Sequence, residues 1–256
     1  MQLRSSFTLV YTSGMRAFYK IALSIIGLLY INNGYAQGGG PPMLTDDPGT
    51  VDAGKWEINT SINTQMTNDA IQLAVPYVDI NYGIAEGLHL KIETPYLITI
   101  DHQKHSSGKI ADPLIGIKYR FMNEDKHFIA AGIYPQATIT GDQKGFLFPL
   151  LLAKTIGKFV IGEEIGYSYV EKDSNNILIG TLLSYRLSHK LELMGEFFVQ
   201  KSYTPSIATQ GFMNYGCRYT INKTFTFLGS LGTQVITPAA QQKLYFFSYI
   251  GIQSSF

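Results

Sequence analysis

The chain ends in 243-KLYFFSYIGIQSSF-256, and this stretch decides the architecture. Counting back in twos from Phe256 gives Ser254, Ile252, Ile250, Ser248, Phe246 and Leu244. The other phase gives Ser255, Gln253, Gly251, Tyr249, Phe247 and Tyr245. One set is mostly apolar; the other is small, polar or phenolic. Such a period of two marks a strand with two unlike faces. Chain ends ordinarily fray into water, so a strand that continues to the last residue needs a bonded neighbour on each side. A sheet closed on itself meets that need.

Composition agrees with a membrane β-protein. Charged residues make up 15% of the 256, aromatics 13%, with 17 Tyr, 15 Phe and 25 Gly. Ordinary soluble domains carry nearer a quarter charged residues. A net charge of +1 gives no electrostatic footprint for nucleic acid, so none is expected as a partner. The single cysteine, Cys217, excludes an internal disulfide and any multi-cysteine metal centre.

The opening reads as an export signal. Arg16 and Lys20 precede the apolar Ile21–Ile31, and "NNGYAQGG" follows with small residues. This order predicts a signal peptide over 1–36, cut after Ala36; its apolar run is short for a transmembrane helix. Met15 stands just ahead of it, so residues 1–14 read as an over-extended start. Without residues 1–36 the chain holds 17 Lys+Arg and 19 Asp+Glu, a net charge of −2. Residues 37–54 then form an N-terminal periplasmic segment, and residues 55–256 the barrel.

Alternation recurs about every ten residues and predicts twelve strands. They fall near 55–65, 71–83, 88–97, 112–121, 128–140, 147–155, 159–170, 177–187, 191–200, 211–220, 225–234 and 243–256. The first shows the pattern well, with Trp56, Ile58, Thr60 and Ile62 opposite Glu57, Asn59, Ser61 and Asn63. No helical period appears. Connections after even-numbered strands are short ("IAEG", "MNEDK", "IGK", "SHK", "INKT"). Those after odd-numbered strands are mostly longer ("ITIDHQKHSSGKIA", "GDQKGF", "EKDSNN", "KSYTPSIATQ", "VITPAAQQ"). Short turns at one end and longer loops at the other, with both termini at the short-turn end, describe a bacterial outer-membrane barrel. A soluble β-sandwich would place more charge on its polar phase and fewer aromatics near its strand ends. The expected fold is therefore an all-β, transmembrane, antiparallel up-and-down barrel of about twelve strands, located in the outer membrane after signal cleavage, with the lipid bilayer as a partner.

Several stretches carry a family resemblance. "GPPMLTDDPGTVDAGKWEINTS" (Gly40–Ser61) resembles the opening of the outer-membrane barrel family labelled meta-pathway phenol degradation, or transporter-like. "VDINYGIAEGLHLKIETPYL" (Val78–Leu97), "GIKYRFMNED" (Gly116–Asp125) and "YPQATITGD" (Tyr134–Asp142) are similar to it as well. The terminal Phe256 resembles the assembly signal recognised by the outer-membrane insertion machinery, which the resemblance makes a further partner. Ser254 departs from that pattern, where an aromatic or aliphatic residue is usual. The label implies transport of aromatic compounds and defines no substrate.

The polar phase of the strands defines the expected lumen. It holds Glu57, Asp79, Lys91, Glu93, Asp112, Lys118, Arg120, Lys154, Glu164, Arg186, Glu192, Glu196 and Arg218. Acids and bases nearly balance. Hairpin geometry centred near Ala85 pairs Asp79 with Lys91 and Asn81 with His89; centred on His189, it pairs Arg186 with Glu192. Such charges either impose a transverse field on a polar solute or simply stiffen a filled lumen, and for any single pair the second is favoured. Phe198, Tyr245, Phe247, Tyr249, Leu150 and Leu152 share the inward phase, as a greasy path or a packed interior. Glu163 and Glu164 are adjacent, so Glu163 points outward unless a bulge near Gly162 turns both inward. Cys217 falls on the lipid-facing phase.

Catalytic signals are weak, and no enzyme, cofactor or metal is expected. His102, His105 and Asp101 share one loop, where a solvated tip is favoured over a metal site. His89 has Asn81 near it and no serine placed by hairpin pairing. Asp46 and Asp47 belong either to a plug or cation site or to ordinary Asp-Asp-Pro-Gly turn chemistry, which is favoured. The expected function is passage of small molecules, with aromatic or hydrophobic solutes as the family label implies. The alternative is a non-conducting structural or adhesion barrel using loops 98–111 and 201–210; a membrane hydrolase is third.

Overall fold

A computed structural model describes residues 40–138, 144–171, 175–203, 209–238 and 242–256. The expected signal, residues 1–36, lies outside the described residues. Fourteen strands follow in order: β1 (Trp56–Met66), β2 (Ala70–Ala85), β3 (Leu88–Asp101), β4 (Ser106–Ile110), β5 (Leu114–Met122), β6 (Ala130–Ile133), β7 (Gln136–Thr138) and β8 (Gly145–Ile156). The others are β9 (Phe159–Val170), β10 (Asn176–Arg186), β11 (Leu191–Ser202), β12 (Gln210–Thr220), β13 (Phe225–Ile236) and β14 (Phe246–Ser255). β4 and β5 lie end to end along β3, and β6 and β7 lie end to end along β8. Each of these pairs makes one stave, so the wall has twelve staves, all antiparallel.

The ring closes between the first and last strands. Glu57 stands opposite Ser255, and ten successive pairs run to Met66 opposite Phe246. Trp56 and Phe256 complete the seam, Trp56 N–H donating to the Phe256 carbonyl at 2.8 Å and Phe256 N–H to that of Trp56 at 3.1 Å. The terminal strand is thus bonded on both edges, to β1 and β13.

The outer surface is apolar because one phase of every stave carries it. Ile62, Ile165, Leu183, Leu231 and Ile250 are exposed around its middle. Towards the short-turn end stand Trp56 against Tyr82 (4.5 Å between rings) and Phe159 against Tyr185 (4.8 Å), with Phe121 and Phe225 nearby. Towards the other end stand Phe146 with Phe148 (6.2 Å) and Tyr167 with Tyr203 (6.2 Å). Two aromatic belts around an aliphatic band match a bilayer with its two interfaces. Cys217 lies on this outer phase, half-buried. β9 is regular against both neighbours, so Glu163 does face outward, where it accepts a hydrogen bond from Thr181 Oγ1 at 2.9 Å.

Three expectations about the wall need correction. The stretch 98–111 is not a long loop: β3 extends to Asp101 and turns into β4, because Ile98 and Ile100 keep the strand alternation going. In β8 the inward residues are the odd ones. Leu151, Ala153 and Thr155 are buried, whereas Leu150 is 37% exposed and Leu152 and Lys154 lie on the outer phase. The apolar run "FLFPLLLA" hides its own phase, and Lys154 sits low on the outer face, 2.9 Å from Glu124 and over the Phe128 ring. Asp112 lies in the jog between β4 and β5, exposed, rather than in the lumen.

Candidate functional site: an occupied lumen and the cavity beside it

The inward phase gathers the charged candidates. Asp79, Lys91, Lys118 and Glu196 are buried; Glu57, Glu93, Arg120, Glu192 and Arg218 are half-buried, and Arg186 is exposed at the short-turn rim. The β2–β3 register centres on Glu86, one residue later than the pairing expected from Ala85. Asp79 therefore faces Glu93, Asn81 faces Lys91, and Gly83 faces His89. Lys91 still bridges the carboxylates diagonally, at 3.4 Å from Asp79 and 2.6 Å from Glu93. Tyr77 donates its hydroxyl proton to Glu93. Asn59 Nδ2 adds a bond to Asp79 at 3.1 Å. Arg186 and Glu192 are in register, yet Glu192 accepts from Ser184 Oγ at 2.6 Å and lies 3.9 Å from Arg218 instead.

Of the aromatic candidates, Phe247 and Tyr249 are buried inward, and Phe198 lies against Gly180 on the inner wall. Phe212 joins them, its ring 6.2 Å from that of Phe247. Tyr245 does not line the lumen. It precedes β14, is 47% exposed, and accepts a bond from Asn68 Nδ2 at 3.0 Å. The strand phase does not extend past the strand's end.

The decisive feature is the segment ahead of β1. Residues 40–52 run inside the barrel, and groups from widely separated staves bind their backbone. Both Glu196 oxygens accept N–H bonds, from Leu44 and Thr45, each at 2.7 Å. Glu164 accepts from Asp46 N–H at 2.7 Å, and Ser230 Oγ donates to the Pro42 carbonyl at 2.8 Å. Arg218 donates to the carbonyls of Gly40 and Pro41, at 3.3 and 2.9 Å. Val51 N–H donates to His89 Nδ1 at 3.1 Å, which leaves the histidine proton on Nε2. Met43, Thr45, Asp47 and Pro48 are buried as deeply as core residues.

Inward glycines make the room. A Cβ on Gly216 would lie 2.7 Å from Met43 Sδ, one on Gly180 would collide with Thr45, and one on Gly83 with the Asp52 carbonyl. Gly180→Val should therefore expel the segment without touching a charge. The expected result is faster proteolysis after residue 40 with the barrel's gel shift unchanged; equal protection would contradict the packing.

Asp46 adds an ion pair, 2.6 Å from Lys118 Nζ. Burial works against its ionised form, but the Lys118 ammonium, with Lys91 behind it, outweighs that and holds the Asp46 carboxyl at about 2, below its usual 3.8. A depressed carboxyl contributes where the undocked group is ionised, so this pair strengthens docking above about pH 4 and stops doing so as pH falls through 2. Lys118→Gln should release the segment at a higher pH than in the unaltered chain, followed by the same proteolysis. An identical release profile would contradict the role given to this pair.

Beside the segment lies a cavity of about 300 Å³ at the short-turn end. Its walls include Glu57, Asn59 and Asp79 on one side and Arg186, Lys190 and Arg218 on the other. His102 and His105 are remote from it, exposed at the β3–β4 tip and within 3.5 Å of Asp69 and 3.3 Å of Asp101 respectively.

Comparison with solved structures agrees with this architecture. The chain is similar to the COG4313 outer membrane channel from Pseudomonas putida F1, with TM-score 0.66 and 10% identity over 85% of this chain and 100% of that one. It is similar to the NanC porin, with TM-score 0.59 and 10% identity over 77% and 98%. It is also similar to the KdgM porin in complex with disordered oligogalacturonate, with TM-score 0.54 and 11% identity over 77% and 99%. At such identities the likeness establishes the fold: an outer-membrane-type β-barrel. No protein-family profile matches the sequence, and no curated protein is similar to it.

Sequence reasoning singled out Asp46 and Asp47 but favoured a turn. It did not reach Met43, Thr45 or the glycines opposite them. The available signal was the recurrence of Gly at inward positions of several staves, Gly132 on β6, Gly180 on β10 and Gly216 on β12, which opens space for something other than side chains.

Proposed function

We propose that this chain is an outer-membrane channel whose residues 40–52 act as a plug across the lumen. The observation that carries the reading is the capture of that segment's backbone by Glu196, Glu164, Ser230 and Arg218 inside a closed barrel. A barrel serving only as scaffold or adhesin would be stabilised more simply by apolar filling. Burying carboxylates to hold a detachable strand of backbone suits a part that moves, since such bonds exchange readily with water. In this reading the short-turn end faces the periplasm, Phe256 and the closing seam are what the assembly machinery handles, and the chain is not an enzyme.

Away from the plug, much of the inward phase of the described staves is apolar or amide-bearing. Leu147, Leu151, Leu178, Phe198, Phe212 and Phe247 lie on it, with Asn63, Gln65 and Gln234 interleaved among them. This supports weakly polar, including aromatic, solutes, as the family label suggests. The test is solute efflux from liposomes carrying refolded protein. Phenol-sized aromatic acids and alcohols should leave faster than sugars of equal mass; equal rates, or no efflux after plug removal, would contradict the reading.

A further inference from the structure

The cavity beside the plug holds charges that the mechanism above does not use. Three of its acids have cations: Asp79 has Lys91 at 3.4 Å, Asp46 has Lys118 at 2.6 Å, and Glu192 has Arg218 at 3.9 Å. Glu57 and Arg186 also line the cavity, and among the described residues neither forms an ion pair. Among the described residues the Glu57 carboxylate accepts only a 3.4 Å contact, from Asn59 Nδ2.

Topology sets these two charges apart. Glu57 is on β1 and Arg186 on β10, with β14, β13, β12 and β11 between them in a ring of twelve staves. They therefore face one another from nearly opposite walls and cannot be neighbours in register. Lys190, in the turn after β10, adds a second cation on the Arg186 side without an ion-pair partner among the described residues. Between the two walls the lining carries the neutral Thr226 and Gln253 and the Glu192–Arg218 pair. Asn59 is 1% exposed, and its Oδ1 has no hydrogen-bond partner among the described residues.

We propose that this cavity binds a small zwitterion of amino-acid or dipeptide size, its carboxylate at Arg186 and Lys190 and its ammonium at Glu57. A guanidinium takes a carboxylate through two parallel N–H bonds, which suits Arg186 to that end. The ammonium is a compact donor, which suits the Glu57 carboxylate that lines the opposite wall. About 300 Å³ lies at the small end of ligand sites, enough for such a molecule and too little for an oligosaccharide. A purely cationic solute would meet two cations on one wall, and a purely anionic one would leave Glu57 without a partner.

The experiment is equilibrium binding to detergent-folded full-length protein, read by saturation-transfer NMR titration. The probes are glycylglycine, its N-acetyl derivative and its C-terminal amide, three near-equal sizes with zwitterionic, anionic and cationic charge. Glycylglycine should bind about tenfold more tightly than either derivative, one pairing being worth about a decade. Glu57→Gln should weaken glycylglycine about tenfold and leave the N-acetyl form unchanged. Arg186→Gln should weaken both, and Arg186→Lys should restore the charge but only part of the loss. Equal binding of the three probes, or no effect of Glu57→Gln, would overturn the proposal. Because the readout needs no current, a barrel that binds glycylglycine but never conducts would sink the channel reading and leave this one standing.

Discussion

Glu196→Ala should raise the open fraction of the reconstituted barrel about a hundredfold. The Glu196 carboxylate accepts the N–H groups of Leu44 and Thr45 and the amide of Asn214, at 2.7, 2.7 and 2.8 Å, and is almost fully buried. Hydrogen bonds to a charged acceptor contribute about 1.5–3 kcal/mol each, though not additively, and water entering the undocked lumen recovers part of the loss. A net cost near 3 kcal/mol converts to about two decades in the docked-to-undocked ratio. Glu196→Gln keeps the shape and one acceptor and should fall between. The check is single-channel open probability, with barrel integrity followed separately by gel mobility. Unchanged current from a correctly folded Glu196→Ala barrel would mean that the segment does not obstruct passage, or leaves the lumen without reference to this carboxylate.

Truncation after Tyr245 should abolish the folded state altogether. β14 supplies the pairing for both β1 and β13, from Glu57–Ser255 to Met66–Phe246 on one side and from Phe225–Ser254 to Gly232–Phe247 on the other. Its loss leaves two open edges in a bilayer, where each unpaired backbone group costs several kcal/mol and water cannot compensate. No plausible repacking offsets about ten such groups. The unboiled product should therefore run at the position of boiled protein and remain protease-sensitive in detergent. Removal of Phe256 alone takes away only the two bonds with Trp56 and should slow assembly while leaving a folded fraction. A truncated chain that still showed a heat-dependent gel shift would contradict the closed seam.

The architecture was legible because one chemical contrast repeats along the chain. In Trp56–Asn63 the outward residues are apolar and the inward ones polar, so phase follows from identity. Where the contrast vanishes, so does the reading. β8 carries leucines on both faces, and its phase came out reversed, taking Leu150, Leu152 and Lys154 with it. Tyr245 failed for a different reason, since alternation says nothing about where a strand stops. The β2–β3 register slipped because the hairpin turns one residue later than its sequence centre, which sets Asp79 opposite Glu93 and Asn81 opposite Lys91.

The segment inside the barrel was the least legible part. Asp-Asp-Pro-Gly reads equally well as a surface turn, and its partners are distant: Glu196 is 152 residues from Leu44 and Glu164 is 118 from Asp46. Local patterns carry no information about pairs at such separations. The same holds for Glu57 and Arg186, whose opposition arises only when β14 closes on β1. Inward charges can be read from a strand, but which of them remain unpaired depends on the whole ring.

The central claim is that residues 40–52 obstruct a lumen that otherwise conducts. The most direct measurement is planar-bilayer conductance of the barrel lacking residues 41–51, recorded beside the unaltered protein under identical salt and voltage. The account predicts steady, reproducible steps from the deletion and mostly closed, briefly opening behaviour from the intact chain. Equal conductance in the two, with both shown folded by gel mobility, would contradict it.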